Sequence, residues 1–506
     1  MFGAVSLLWS LLIPAGEGPD ELAHLRLAEY VWSTHSFPDA SAMHGQHIAE
    51  AFQMPLYYIL ISPFIGLFDY SSAEFHTVDN PNFDRTSSPG RANVWDNART
   101  REQTPSRIIS AVHVIRTVTV LTGALAIWWI CLALEALHVP LGVGMLTVSV
   151  WASLPMTTFM SSVVGNDVPA ALFCAIAFLG LVKWERSGSV RDGLLVVLAL
   201  TLGLLMKLTI LYVWAGTVLV ILLHRGLRQR RFQSLMIVLL PVLVCLGSIL
   251  RSFSLQERKT HPAYAVSLHD GILPYAKSWI ISLVKTVYTS FLTAIGVVGQ
   301  HSVYFPGWFY GIFFGVLLVC IWAVWDAHRR NRWEWYPAMG TPYWIALMLL
   351  SASAVYGFRE SGETMTSRYV IPYMPGILAV FATALSSAFG DRQRLVRPRR
   401  SWFFLVTGVL FTLLGFLPSR WWFPVVFPVV AWARFSLPLV HYQTVLSLLL
   451  STFGVSFLVV FLWQRYFSRI TDFVMDLRPK RALVFCASLF LMNMALLVLH
   501  VRRFYT

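Results

Sequence analysis

The sequence has little charge and no extended polar segment. Only 13% of its 506 residues are charged, whereas 57% are hydrophobic, and the mean hydropathy is +0.63. A soluble domain usually spans about 50–250 residues, and no polar stretch of this chain is long enough to form one of ordinary size. The composition therefore excludes a string of soluble domains and favours one large membrane domain.

Cysteine is scarce as well. The five cysteines all lie in apolar segments, and the sequence contains neither a CxxC spacing nor paired loop cysteines. These features exclude a disulfide framework and a thiolate-based metal site.

The basic residues indicate a membrane topology. The net charge of +14 could suggest a nucleic-acid partner, but the basic residues cluster in short loops, as at Lys183–Arg191, Arg225–Arg231 and Arg392–Arg400. Positive charge in short loops marks the cytoplasmic side of membrane proteins. We therefore expect contact with anionic membrane lipids and no nucleic-acid partner.

Apolar runs recur along the whole chain, and about 20 apolar residues cross a bilayer as a helix. The first run, Phe2–Ala15, lacks a basic n-region and an obvious cleavage site, which predicts a retained first span. The loop that follows this span, 16–110, is predicted to lie outside the membrane on the outer side. The predicted fold class is an all-α polytopic membrane protein with about 11–13 transmembrane helices. Spans are expected near 112–136, 140–162, 168–184, 192–207, 209–223, 235–252, 306–326, 338–357, 369–388, 402–417, 442–463 and 482–499, and interfacial helices near 276–298 and 418–439.

The first outer loop has two parts. Apolar residues recur at helical spacing over Pro19–Trp32, which predicts a helix with Asp20 and Glu21 in its first turn. Residues 51–69 are apolar but contain two prolines, so we expect them at the membrane interface. Residues 71–107 are rich in Asn, Asp, Ser, Thr and Pro and are predicted to form a flexible loop.

The acidic cluster at the start of this loop is the first candidate site. Asp20 and Glu21 are adjacent carboxylates at the mouth of the first span, where a carboxylate is costly unless it is solvated, paired or metal-bound. Asp20 and His24 are four residues apart and share a helix face. They could therefore hold a divalent cation or orient a general base. The structural alternative is that Asp20 caps the helix and His24 lies on the surface.

Two further groups are predicted on the same outer side. The first is Gly165-Asn166-Asp167, between two apolar runs, for which a simple Asx-rich turn is the alternative. The second comprises three cations at predicted span ends: Arg116, Lys207 and Arg368. A half-buried cation needs a partner, which could be an anionic ligand such as a lipid phosphate, an acidic side chain, or water reached by snorkelling.

These segments, in this order, resemble motifs of the GT-C superfamily, the multi-span glycosyltransferases that use polyprenyl-phosphate-linked sugars. The similarity is to bacterial membrane proteins with a PPDEPAHF motif in the first outer loop. The matching segments are GPDELAHL at 18–25, Glu50, QMPLYY at 53–58, RTVT at 116–119, GND at 165–167, KLT at 207–209 and SRYVIP at 367–372. Leu22 and Met54 stand where the family has proline.

The resemblance implies a GT-C-type transmembrane catalytic module over 1–390, including the outer loop 16–110, followed by C-terminal transmembrane helices over 391–506. It implies an inverting glycosyltransferase of the bacterial inner membrane whose active site faces the periplasm. The donor would be a polyprenyl-phosphate-linked sugar, and the acceptor a hydroxyl of a glycan, lipid or protein.

The resemblance also assigns roles to residues. Asp20, Glu21 and Asp167 would be catalytic, with Asp20 acting as general base toward the acceptor or as a metal ligand. A divalent metal, Mg²⁺ or Mn²⁺, would be held by Asp20 and Asp167. Substrate-binding residues would be His24, Glu50, Gln53, Tyr57, Arg116, Asn166, Lys207 and Arg368.

Two other functions stay open from the sequence. One is a transporter or flippase of lipid-linked saccharides, and the other is a catalytically inactive assembly subunit with the GT-C fold. A transporter should show charges at the membrane midplane and repeat symmetry. Here the charged candidates lie at predicted span ends and no internal repeat is evident, which favours an enzyme.

Overall fold

The structure is a computed structural model of the chain. It describes residues 1–39, 50–81, 94–223, 231–256, 297–298, 303–304, 307–329, 342–343, 345–349, 367–390, 455–462, 466, 484 and 487–495.

Helices make up almost all regular structure in these ranges. They are α1 (Phe2–Leu12), α2 (Glu21–Thr34), α3 (Leu56–Leu67), α4 (Asn97–Gln103), α5 (Ser106–Ala136), α6 (Leu141–Ala152), α7 (Pro155–Met160), α8 (Asp167–Ser187), α9 (Val190–Met206), α10 (Ile210–Leu223), α11 (Arg231–Gln256), α12 (Gly307–Arg329) and α13 (Met374–Gly390). Two 3₁₀ helices cover Ser72–Glu74 and Ser367–Tyr373. Two-residue strands β1 (Val297–Val298) and β2 (Val303–Tyr304) pair antiparallel.

The predicted fold class, an all-α polytopic membrane protein, is confirmed. Within the described ranges, five helical segments are long and apolar enough to cross a membrane: Ser106–Ala136, Asp167–Ser187, Phe232–Leu255, Tyr310–Ala327 and Arg368–Ser387. Shorter apolar helices accompany them, including α1, α3, α6 and most of α10. The predicted total of 11–13 spans extends over parts of the chain outside these ranges.

One predicted span is wrong. The segment 140–162 was expected to be a single helix, but α6 ends at Ala152 and α7 begins at Pro155. Proline has no backbone N–H and so does not continue the hydrogen-bond ladder of a preceding helix. Elsewhere the predicted spans that fall in described ranges are helical. The segments 402–417 and 418–439, and most of 276–298, lie outside the described residues, and 338–357, 442–463 and 482–499 are described only in part.

Helix α8 lies at the centre of the described bundle, between α5 and α9. Small residues on α8 allow its neighbours to approach closely. At Gly180, an added Cβ would lie 2.9 Å from the Cγ2 atom of Val196 on α9. A larger residue at this position would therefore push the two helices apart.

Helix α8 is long and apolar enough to cross the membrane. Its 21 residues correspond to about 31 Å of helix, close to the hydrocarbon thickness of a bilayer. Asp167 is its first residue and Arg186 lies in its last turn. Helix α9 runs back along α8 and returns the chain, at Lys207, to the Asp167 end.

The first outer loop is more structured than predicted. Helices α2 and α3 occupy the expected segments and pack against each other. The segment expected to be a flexible loop, 71–107, contains α4 and is fixed by side chains in the parts that are described. Arg107 donates two hydrogen bonds to Glu74, at 2.7 and 2.8 Å, and the hydroxyls of Thr100 and Thr104 accept from the backbone N–H groups of Val78 and His76.

A C-terminal helical segment, 487–495, packs against the N-terminal part of the bundle. Asn493 is fully buried. Its amide nitrogen donates to the Ser153 carbonyl and the Thr158 hydroxyl, at the break between α6 and α7, and its oxygen accepts from the Trp9 indole at 3.0 Å. This segment of the predicted C-terminal helices thus contacts helices of the N-terminal part.

Candidate active site

Asp20 occupies the turn immediately before α2. Its backbone is left-handed, with φ 57° and ψ 9°, and its side chain does not cap the helix. The carboxylate is 43% exposed, and Arg368 Nη2 donates to its Oδ2 atom. The predictions that Asp20 lies in the first turn of the helix and that its side chain caps the helix are therefore wrong. Because a left-handed aspartate is uncommon and costs conformational energy, the surrounding contacts must hold this turn in place.

Glu21 and Arg116 hold the turn from inside. Both side chains are completely buried. The Arg116 Nε and Nη2 atoms donate to the two carboxylate oxygens of Glu21 at 2.8 and 2.7 Å. The other donors of the guanidinium bind the backbone carbonyls of Ser10, Ile13 and Pro14. The Glu21 carboxylate also accepts from the backbone N–H groups of Gly16, Gly18 and Val164.

This pair is structural in the arrangement observed. A guanidinium has five N–H donors, and those of Arg116 are all used within the protein. Burial alone would raise the pKa of Glu21, but the charge of Arg116 and the hydrogen bonds to the carboxylate outweigh it and lower the pKa. Glu21 is thus a weak proton acceptor, which does not suit the catalytic role predicted for it.

Asp167, Asn166 and Lys207 form a second buried group. Lys207 follows α9 in an extended conformation, and its Nζ donates to Asp167 Oδ1 at 2.5 Å and to Asn166 Oδ1 at 3.2 Å. The Asn166 amide donates to Gln53 Oε1 at 3.0 Å and to the Met206 carbonyl. The predicted GND turn therefore meets the QMPLYY motif and the KLT motif in space.

His24 lies on the buried face of α2, against α3. Its Nδ1 atom is 2.7 Å from the hydroxyl of Tyr58. Burial lowers the pKa of His24, and the nearby acids Glu50 and Asp20 only partly offset this effect. Two cations, Arg368 and Lys207, act on the ring in the same direction as burial. The lowered pKa favours the neutral imidazole. The alternative that His24 is a surface histidine is wrong, because the side chain is buried.

Glu50 and Gln53 complete the group from the turn before α3. Glu50 is only 8% exposed, and its carboxylate accepts from the Gln53 amide at 2.6 Å. The hydroxyl of Tyr57 accepts from the backbone N–H of Gly165 at 3.0 Å. Tyr57 and Gln53 thus connect α3 directly to the turn that begins α8.

Tyr369 was not predicted as a site residue. The Lys207 Nζ atom lies 4.6 Å from the centre of its ring, and the Arg368 guanidinium carbon lies 5.1 Å from it. Arg368 Nη2 also lies 3.3 Å from the Tyr369 hydroxyl. The sequence feature that could have indicated Tyr369 is its position directly after Arg368 in the SRYVIP motif. Tyr369 brings Lys207 and Arg368 together, whereas Arg116 has a separate set of partners, so the predicted three-cation site is corrected to a two-cation cluster.

The side chains present do not form a ready metal site. Within the part of the chain that the structure describes, no group of three His, Cys, Asp or Glu side chains could hold a metal ion. The two predicted ligands each face a cation instead, Asp20 facing Arg368 and Asp167 facing Lys207. A divalent metal, Mg²⁺ or Mn²⁺, stays a prediction from the resemblance, and no chemical step below depends on it.

Comparisons with known proteins concern the whole chain. No protein-family model matches it, and no curated protein matches it significantly. The crystal structure of ArnT from Cupriavidus metallidurans bound to undecaprenyl phosphate is similar at a TM-score of 0.43 and 14% identity, over 93% of this chain and 78% of that chain.

Two further solved structures are similar over smaller shares of their own length. The arabinosyltransferase EmbB from Mycobacterium smegmatis gives a TM-score of 0.41 at 11% identity, over 99% of this chain and 40% of that chain. The S. cerevisiae protein O-mannosyltransferase Pmt1-Pmt2 complex bound to the sugar donor gives 0.34 at 15% identity, over 51% and 33%. The function proposed below rests on the sequence motifs and on the contacts within the site.

Proposed function

We propose that this protein is an inverting glycosyltransferase that transfers a sugar from a polyprenyl-phosphate-linked donor to an acceptor hydroxyl. The observation that carries the proposal is the half-exposed carboxylate of Asp20, held beside the guanidinium of Arg368. The transfer needs a base for the acceptor proton and positive charge for the phosphate leaving group. Asp20 and Arg368 are side chains of these two kinds, and they lie next to each other.

The proposed step is a single displacement. Asp20 accepts the proton of the acceptor hydroxyl while the acceptor oxygen attacks the anomeric carbon. The bond between that carbon and the phosphate oxygen breaks, and its electron pair leaves with the polyprenyl phosphate. Arg368 and Lys207 stabilise the charge that develops on the phosphate. Attack from the face opposite the leaving group inverts the anomeric configuration.

Arg368 has a donor that suits this role. Its Nε atom is buried, and among the described residues it has no hydrogen-bond partner. A buried charged donor without a partner is costly, and a phosphate oxygen would satisfy it. Arginine can also hold two phosphate oxygens at once, whereas lysine acts as a point charge.

The remaining residues have supporting roles in the proposal. Asp167 and Asn166 hold the ammonium of Lys207, and their burial argues against Asp167 as a proton acceptor. The imidazole of His24 and the carboxylate of Glu50 are assigned here to hydrogen bonds with sugar hydroxyl groups. Glu21 and Arg116 fix the backbone that carries Asp20.

The experiment that tests the function uses the purified protein in lipid nanodiscs with a panel of polyprenyl-phosphate sugars. Mass spectrometry would measure release of the polyprenyl phosphate and glycosylation of added acceptors, and NMR would determine the anomeric configuration of the product. Movement of intact donor across proteoliposomes without any cleavage would instead indicate a flippase. Neither reaction with any donor, beside an active reference enzyme, would indicate an inactive subunit.

Arg368 provides a prediction about the donor. Because Arg368→Ala removes a charged hydrogen bond to the phosphate, donor binding should weaken by about 1.5–3 kcal/mol. Each 1.4 kcal/mol is about tenfold in affinity, so the donor KM should rise by about 10-fold to 150-fold with little change for the acceptor. The measurement is transfer rate against donor and acceptor concentration in turn.

The matched control for this variant is Arg107→Ala. Arg107 also pairs with a carboxylate in the outer loop, but its side chain is 41% exposed and lies outside the proposed site. Its donor KM should equal that of the parent protein. An equal donor KM in Arg368→Ala and Arg107→Ala would contradict the phosphate-binding role.

We also propose that the site faces the periplasm of a bacterial inner membrane, with the basic loops in the cytoplasm. Residues 73 and 191 are both exposed. Residue 73 lies in the first outer loop, and residue 191 is the second residue of α9, next to the short connection that follows α8. In a cysteine-free background, Ala73→Cys should react with a membrane-impermeant maleimide in spheroplasts, and Arg191→Cys should react only after the membrane is permeabilised. The reverse labelling pattern would place the site in the cytoplasm and exclude this topology.

A further inference from the structure

Arg251 lies near the end of α11 and has no place in the motifs that resemble a known family. It is 20 residues beyond Arg231, the first residue of α11, which corresponds to about 30 Å of helix. It therefore lies at the opposite end of α11 from Arg231, the end that contacts the residues of the candidate active site. An arginine here could simply extend toward the headgroups or complement the helix dipole.

The side chain instead binds the polypeptide backbone of the first outer loop. Its Nη2 atom donates to the Gln53 carbonyl at 2.5 Å. Its Nη1 atom donates to the Ala51 carbonyl at 2.8 Å and to the Pro38 carbonyl at 3.3 Å. The guanidinium also lies 5.2 Å from the centre of the Phe37 ring. One side chain thus binds a carbonyl near residue 38 and two carbonyls near residue 52.

Two of these carbonyls, those of Ala51 and Gln53, belong to the turn that carries Glu50 and Gln53. The Gln53 amide binds Glu50, and its oxygen accepts from Asn166. Asn166 in turn accepts from Lys207. A continuous series of hydrogen bonds therefore runs from Arg251 through Gln53 and Asn166 to the ammonium of Lys207. Within the described residues Arg251 has no ion pair, so its charged donors act on these carbonyls.

We infer that Arg251 is a positioning residue, which fixes the Glu50–Gln53 turn and through it orients Asn166 and Lys207 toward the donor phosphate. The inference rests on the proposed function and adds to it a residue outside the sequence motifs. A charged donor makes a stronger hydrogen bond than a neutral one, so one guanidinium can hold two carbonyls of this turn and attach them to the Pro38 carbonyl. Misplacement of a site group by about 1 Å costs on the order of 100-fold in rate.

The test compares Arg251→Met, Arg251→Lys and the control Arg99→Met. Methionine keeps much of the apolar stem and removes every donor. Lysine keeps the positive charge and can still donate to some of the three carbonyls. Arg99 lies on α4 in the same outer loop, and its side chain is 69% exposed. We expect Arg251→Met to lower kcat by about 10-fold to 100-fold, Arg251→Lys to lower it less, and Arg99→Met to leave it unchanged.

A second measurement does not depend on activity. Hydrogen–deuterium exchange of the peptide covering 50–58 should become faster in Arg251→Met and stay unchanged in Arg99→Met. Unchanged exchange of this peptide in Arg251→Met would overturn the inference, and so would parent-like transfer despite faster exchange. If the parent protein transfers no sugar, the proposed function fails. The exchange result then decides separately whether Arg251 fixes this turn.

Discussion

Purified Asp20→Asn protein should lose sugar transfer by about 100-fold to 10,000-fold, the usual effect of removing a general base. Asparagine has nearly the same shape as aspartate and also tolerates the left-handed backbone that residue 20 adopts. The substitution therefore removes proton-accepting ability and leaves the turn intact. Donor binding should not weaken, because Arg368 no longer shares its charge with the carboxylate. The measurements are kcat and donor KM in nanodiscs.

Asp69 offers a closely matched control for this prediction. It lies in the same outer loop, has a positive φ of 45°, and its side chain is 96% exposed. Asp69→Asn should transfer sugar at the parent rate. If Asp20→Asn turned over as fast as Asp69→Asn, another group would have to accept the acceptor proton.

Glu21→Gln should cause the largest loss of stability among the site substitutions. It leaves the Arg116 charge completely buried without its anion. Breaking a buried ion pair in this way costs about 3–5 kcal/mol of unfolding free energy. We expect a large fall in the thermal unfolding temperature in detergent and a low yield of monodisperse protein. Glu74→Gln should cost less than about 1 kcal/mol, because the Glu74–Arg107 pair is about 40% exposed on both sides.

A double substitution sharpens this prediction. Replacing both members of a buried ion pair with well-packed apolar residues is often nearly neutral. Here Arg116 also serves three backbone carbonyls, and Glu21 also serves three backbone N–H groups. Glu21→Gln combined with Arg116→Gln should therefore recover only part of the lost stability. Full recovery would show that these backbone contacts contribute little.

The membrane fold was largely predictable because hydropathy and charge placement follow directly from the bilayer. Helices α5, α8 and α11 lie where the apolar runs predicted them. The break between α6 and α7 was missed because hydropathy averages over Pro155 and does not register its missing N–H. The regular structure of the outer loop was missed because it depends on hydrogen bonds of Thr100, Thr104 and Arg107. From composition alone, such polar side chains indicate a flexible segment.

The sequence predicted which residues lie in the site better than it predicted which of them form ion pairs. The motifs brought Asp20, Asp167, Lys207 and Arg368 to one side of the membrane, and the structure places them in two neighbouring ion pairs. The sequence did not show that Asp20 is exposed while the adjacent Glu21 is buried, because this difference depends on the left-handed backbone at Asp20. Arg251 was missed since its partners are carbonyl groups, which every residue has.

The environment of Arg116 also bears on how the chain enters the membrane. A bare guanidinium in hydrocarbon is strongly unfavourable, yet all five hydrogen bonds of this one go to acceptors within residues 10–21. The first helix and its following turn have therefore already left the ribosome when α5 is synthesised. These two elements can associate as soon as α5 inserts, so the nascent chain neutralises this fully buried charge before the central helix α8 arrives.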